Sequence, residues 1–154
     1  MNIELLRSSF TQVLEQEPAL TRRFYAIFFA RYPQVVPLFG RNSPRQQQEM
    51  LGQALMAVLD HLENAEWLVE TLGALGRKHV TYGVTSEMYG WVGECLLATL
   101  SEIAGPAWTP AHEQVWSEAY AAIVLLMVAG AQEIAVSTLH AQMPIASAPS
   151  ARRA

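Results

Sequence analysis

The sequence predicts an all-α domain. Three observations carry that expectation: no stretch sustains the apolar–polar alternation of a strand, apolar residues recur at helical spacing, and Gly and Pro cut the chain into helical lengths. The 154 residues allow one domain of ordinary size. That length buries a core without a disulfide or metal staple.

From Ile3 to Leu14, the residues Ile3, Leu6, Phe10, Val13 and Leu14 lie near helical spacing, and Pro18 interrupts the run. A second helix is expected from about Leu20 to Arg31, with Phe24, Ile27 and Phe28 on its apolar side and Pro33 closing it. Val35 to Phe39 make a short helical turn. Ser43-Pro44-Arg45-Gln46 reads as a helix start: the Ser oxygen caps an orphan N–H, Pro suits the first helical position, and Gln completes a capping box. That helix should run to about Leu62. Another covers roughly Ala65 to His79 and ends at Tyr82-Gly83. Thr85 or Ser86 caps the next, which continues to Ala104 before Gly105-Pro106. Thr109-Pro110 opens the last and longest helix, reaching about Leu139. About seven helices thus form one domain over 1–139. Residues 140–154, rich in Ala, Ser and Pro, read as a disordered C-terminal tail.

Composition narrows the function. The charge sum is 10 − 14 = −4 and the pI is near 5.5, so no net positive field exists to hold a nucleic-acid backbone. The single cysteine, Cys95, excludes an intrachain disulfide, a multi-cysteine zinc site and an iron–sulfur cluster. On an otherwise apolar helix it reads as a packed thiol. Met1-Asn2-Ile3-Glu4 lacks a basic region followed by an apolar run, so no export signal is expected. The longest apolar stretch, Ala119 to Ala131, is thirteen residues, against about 20 for a membrane span. A soluble, cytoplasmic chain follows as the expectation. With 51% apolar and only 16% charged residues, either the helices are unusually buried or something apolar is held between them.

Four histidines are present. Surface or capping roles suit His61, His112 and His140. His79 differs, because Leu72 and Leu75 precede it by seven and four residues and place it on an apolar stripe. There it is either a satisfied core residue or a ligand to a buried iron, since neutral imidazole is the usual protein ligand to haem. Gln47 shares a face with Leu51, Ala54, Leu55 and Val58. It is either a surface amide at a frayed helix start or a polar group facing the same interior. Tyr25, in a helix rich in Phe, needs a partner for its hydroxyl if buried.

Taken together, these residues resemble a family. Phe24-Tyr25, Phe28-Phe29, Tyr32-Pro33 and Pro37-Leu38-Phe39 resemble the second and third helices of globins, in particular the globin domain of flavohaemoglobins. Leu75-Gly76-Arg77-Lys78-His79 followed by Tyr82-Gly83-Val84 is similar to the proximal-histidine segment, and to the same stretch of neuroglobin. Tyr89 through Val92-Gly93-Glu94 to Leu96-Leu97, Gly105-Pro106-Ala107 and Trp116-Ser117-Glu118-Ala119-Tyr120 fit the helices that follow. The resemblance covers about residues 3 to 135.

The resemblance implies a globin fold around a haem b pocket, with His79 as the axial ligand of the iron. Phe39 would pack on the porphyrin, Leu75 would lie under the ring, and Leu51 would stand over the iron. Tyr25 and Gln47, with Gln48 if the register slips by one, would hydrogen-bond bound dioxygen. Tyr89 and Glu133 would join His79 in a proximal network whose acceptor makes the imidazole more anionic and favours activation of oxygen. The alternative for Glu133 is a solvated position where the last helix emerges, and its spacing favours the network. Arg77 and Lys78 could contact haem propionates, dock a reductase or simply be solvated. Gln47 stands where neuroglobin has a ligating His, which implies a five-coordinate ferrous haem with an open sixth site. The function implied is reversible dioxygen binding, with nitric oxide oxidised to nitrate if a separate reductase supplies electrons. The alternative is an oxygen carrier, store or sensor without turnover. Either a monomer or a homodimer is compatible with the sequence.

Overall fold

A computed structural model describes the backbone of residues 1–15 and 19–142, and the side chains of those up to 132 apart from Leu14. Six α-helices and two short 3-10 helices make up the regular structure of the described residues: α1 (Ile3–Leu14), α2 (Ala19–Arg31), a 3-10 helix (Pro33–Phe39), α3 (Pro44–Asp60), α4 (Ala65–Thr81), α5 (Ser86–Ala104), a 3-10 turn (Gly105–Ala107) and α6 (Pro110–Gln142). The all-α expectation is borne out. The helix expected to stop near Leu139 continues three residues further, and residues 143–154 of the expected tail lie outside the described residues.

Local chemistry explains the boundaries. The Asn2 side chain accepts from the Leu5 N–H at 2.9 Å and starts α1. Ser43 and Gln46 make the expected reciprocal capping box at the head of α3. Asn64 caps α4 through the Trp67 N–H at 3.0 Å. Pro37 has no N–H to give, and the segment around it winds as a 3-10 helix. Two residues beyond the expected end, α4 stops at Thr81, because Gly83 takes a left-handed φ of 88° and turns the chain into α5.

Two clusters fill the interior. Leu6, Phe10 and Val13 of α1 form one buried stripe, which packs with Phe24, Phe28, Leu96, Leu100 and Trp116. The indole N–H of Trp116 donates to Ser9 Oγ at 2.9 Å, so α1 and α6 are tied by a buried polar contact. The second cluster joins Val58, Leu72 and Met127, with Leu75, Tyr89 and Ile123 against it. Pro110–Gln132 of α6 is long and apolar enough to cross a membrane by length and composition, but Val115, Trp116, Ala119 and Met127 on it are buried within the fold.

The pairing of α4 with α6 positions the site. A Cβ on Gly76 would stand 1.9 Å from the Met127 carbonyl oxygen, and one on Gly130 would stand 2.2 Å from that of Gly73. The two helices therefore touch backbone to backbone, which only glycine permits. That contact lies one turn before His79 and sets the height at which α4 crosses the core.

Candidate functional site

His79 sits in the last turn of α4, partly buried. Its Nδ1 lies 2.8 Å from the Leu75 carbonyl oxygen one turn back. A carbonyl only accepts, so Nδ1 carries the proton and Nε2 keeps its lone pair. Burial lowers the imidazole pKa, with the Leu75 hydrogen bond opposing, so the ring is neutral at pH 7. The last turn thus presents an oriented, unprotonated nitrogen.

It presents that nitrogen to an apolar cavity of about 390 Å³, lined by His79 together with Phe39, Leu51, Tyr89, Val92 and Ile123 among others. That volume is ordinary for a cofactor site. No cluster of three or more metal-ligating His, Cys, Asp or Glu occurs among the described residues. One imidazole in an apolar chamber suits a metal whose remaining bonds come from a macrocycle rather than from the protein. The donor set and the chamber therefore fit haem.

Across the core stand Tyr25 and Gln47. The Gln47 amide donates to the Tyr25 phenol oxygen at 3.0 Å, and Asn42 Nδ2 lies 3.5 Å from Gln47 Oε1. Tyr25 is buried, and its ring meets that of Phe39 edge-on at 5.7 Å. Phe39 lines the cavity; Tyr25 and Gln47 do not line it themselves, and the Tyr25 ring stands behind that of Phe39. Burial raises the Tyr25 pKa, the Gln47 contact opposing, and the phenol stays protonated at neutral pH. With Gln47 donating to its oxygen, the Tyr25 O–H remains available to a third group.

The remaining predicted positions divide. Leu51 and Phe39 line the cavity, whereas Leu75 packs beside it with Val58, Leu72 and Met127 and acts on His79 through its carbonyl. Lys78 is exposed on α4, and Gln48 is half-buried on α3 without the Tyr25 contact that Gln47 makes. The Tyr89 ring lies nearly parallel to the imidazole, at 24° and 6.2 Å between centroids, and burial raises its pKa. Glu133 belongs to the α6 backbone, but its side chain lies outside the described residues. His61 Nδ1 pairs with the Ala57 carbonyl and His112 Nδ1 with Thr109, both in capping positions; the His140 side chain lies outside the described residues.

One contributor was not singled out in the sequence. The Tyr120 hydroxyl donates to the Tyr89 carbonyl at 2.6 Å and fixes the α5 backbone that carries Tyr89. Its ring lies where a Cβ of Gly93 would fall, 2.6 Å away. The paired appearance of Gly93 and Tyr120 was the available signal, although 27 residues separate them.

A family model described as globin matches residues 22–127. The chain belongs to the globin family. This globin is 32% identical over 126 residues to a flavohemoprotein of Bacillus thuringiensis, an alignment covering 79% of the chain and 30% of that relative. It is equally identical to a flavohemoprotein of Bordetella pertussis, with coverages of 80% and 31%. The chain thus spans about a third of the length of these curated relatives. Two solved structures share the fold. One is an engineered carbene transferase provisionally named a nitric oxide dioxygenase, from Rhodothermus marinus, with TM-score 0.76, 30% identity and coverage of 88% and 95%. The other is a bacterial globin from Campylobacter jejuni, with TM-score 0.74, 27% identity and coverage of 86% and 95%. Membership of the family implies haem as the guest of the cavity, and the apolar excess of the sequence has its reason there.

Proposed function

We propose that this globin holds haem b through His79, binds dioxygen, and oxidises nitric oxide to nitrate with electrons from a separate reductase. The observation that carries the reading is the Gln47–Tyr25 hydrogen bond beside the cavity that His79 lines. When bound, haem would supply a redox-active iron able to take up a diatomic gas.

The chain's own residues do the rest. His79 would hold the haem iron through Nε2, and the Leu75 carbonyl holds the ring in orientation and keeps the proton on Nδ1. Tyr25 would donate its O–H to negative charge on a guest oxygen, with the Gln47 amide holding the phenol oxygen. Phe39 and Leu51 make the adjoining cavity apolar, which would strengthen a hydrogen bond given to a guest there. Tyr89 and Glu133 would tune the imidazole, and Lys78 would contact haem propionates or the reductase. The overall reaction joins nitric oxide, dioxygen and one electron to give nitrate. The names of the flavohemoprotein relatives and of the Rhodothermus neighbour support this reading.

Sustained nitrate formation tests it. The haem-loaded protein, supplied with a reductase and NADH, should convert repeated additions of nitric oxide to nitrate under air. A single stoichiometric oxidation without re-reduction would reject turnover and leave an oxygen carrier, store or sensor.

A further inference from the structure

We propose that Tyr32 and Trp91, with the Glu94 carboxylate on the Tyr32 hydroxyl, form a second redox site, where small phenols or ascorbate give up electrons to a haem that hydrogen peroxide has oxidised. The proposal rests on the reading that haem occupies the cavity.

Tyr32 follows α2, and Trp91 belongs to α5. Their rings are parallel within 7°, with centroids 4.7 Å apart, so two readily oxidised side chains overlap and can share an electron hole. The Tyr32 hydroxyl donates to Glu94 Oε1 at 2.5 Å, and Arg31 Nη1 donates to Oε2 at 2.7 Å. These two donors hold the Glu94 carboxyl below the usual carboxylate range, so it is ionised at neutral pH. The Glu94 contact in turn keeps the phenol protonated. That pairing suits electron loss, because an oxidised phenol is a strong acid and a carboxylate already in place takes its proton.

Clasping the two helices needs no phenol. Eight residues away on each, Arg23 meets both oxygens of Glu102 from Nε and Nη2, at 2.6 and 2.9 Å. At Glu94 the guanidinium leaves one oxygen to Tyr32. Among the described residues, Tyr32 is the tyrosine whose hydroxyl meets a carboxylate; Tyr25 accepts from Gln47 and Tyr120 donates to a carbonyl.

Phe28 links the pair to the cavity. Its ring lies 6.2 Å from that of Tyr32 and 6.1 Å from that of Phe39, and both Phe28 and Phe39 line the cavity. Phenylalanine is too hard to oxidise to hold the hole itself, but packed rings leave an electron only short gaps to tunnel across. On the other side, Tyr32 and Trp91 are half-buried and Glu94 is exposed, so a dissolved reductant reaches them.

Hydrogen peroxide takes two electrons from the haem and two protons from solvent, and leaves as two waters. Tyr32 returns the electrons to the haem one at a time, its proton passing each time to Glu94 and on to solvent. After each transfer a phenol or ascorbate gives one hydrogen atom to the Tyr32 oxygen. Each peroxide thus turns two reductant molecules into two radicals.

Mixing the ferric, haem-loaded full chain with peroxide and freezing it for electron paramagnetic resonance tests the site, with a nitroso spin trap and peptide mapping to locate the radical. The adduct should map to Tyr32 or Trp91. Tyr32→Phe, which keeps the ring, should lose the tyrosyl signal and most of the peroxide-driven ascorbate oxidation. Glu94→Gln still accepts the hydrogen bond but takes no proton, and should slow radical formation. Adducts confined to other residues, or an unchanged signal in both Tyr32→Phe and Trp91→Phe, would overturn the proposal and leave the haem reading standing. The wild-type adduct map decides even where a variant fails to load haem. A wild-type chain without a Soret band would instead sink the haem reading, and this site with it.

Discussion

The amide of Gln47 and the phenol of Tyr25 meet at 3.0 Å although they lie 22 residues apart on different helices. The contact has a direction. Because Gln47 donates to the phenol oxygen, the phenol keeps its own proton for another acceptor, and its ring touches Phe39, which lines the cavity.

Replacing Tyr25 by Phe keeps the ring that packs on Phe24, Phe29 and Phe39 and removes only the donor. A hydrogen bond to a partly charged oxygen contributes about 1.5–3 kcal/mol, so dioxygen should leave roughly ten- to a hundred-fold faster. Stopped-flow displacement of oxygen by carbon monoxide measures this. A rate within two-fold of wild type would remove Tyr25 from ligand stabilisation.

His79 should make the haem-free protein sensitive to acid. Burial holds its pKa below the ordinary 6.5, so the unfolded chain binds its proton first as pH falls. The contribution to stability is fully present above pH 6.5 and is lost as pH falls through the lowered folded-state value. Urea titrations between pH 7.5 and 5 should show this loss, and His79→Phe should flatten it. Haem retention should fall over the same range, because a protonated imidazole cannot ligate.

Gly76→Ala would set a methyl group against the Met127 carbonyl, a backbone atom that cannot rotate aside. The helices must separate, at a cost of about 3 kcal/mol, the upper end for overpacking. Chemical denaturation should record that loss, and haem should dissociate faster because His79 rides on the same turn of α4. Gly90→Ala, where a Cβ meets nothing within 4 Å, serves as the control and should be neutral or slightly stabilising.

Much of this architecture is readable from local chemistry. The Ser43–Gln46 capping box, the Pro at the head of α3 and the apolar stripe of α1 are decided by residues a few positions apart. His79 and Leu51 were placed by the same short-range logic together with the family resemblance. What stayed hidden depends on distant segments meeting. The backbone contact of Gly76 with Met127 spans 51 residues and leaves no periodic trace. Leu75 packs with Val58 and Met127, neighbours that only the crossing of α4 with α6 brings to it. The cavity, likewise, is a void between several helices, and no one of them encodes it.

The proximal side offers the last test, because two explanations of Tyr89 differ in one atom. Its ring lies nearly parallel to the His79 imidazole at 6.2 Å, which packing alone explains, and its carbonyl is held by the Tyr120 hydroxyl at 2.6 Å. If its hydroxyl also works with Glu133 on the imidazole, the carboxylate makes His79 a stronger electron donor and lowers the haem reduction potential. Tyr89→Phe and Glu133→Gln should then each raise that potential, as measured by spectroelectrochemical titration, while leaving the thermal midpoint nearly unchanged. If packing is the whole role, Tyr89→Phe is silent in the potential, and only Tyr89→Ala, which removes the ring, loosens haem. A potential that stays put in Glu133→Gln would confine the proximal control of His79 to the Leu75 carbonyl.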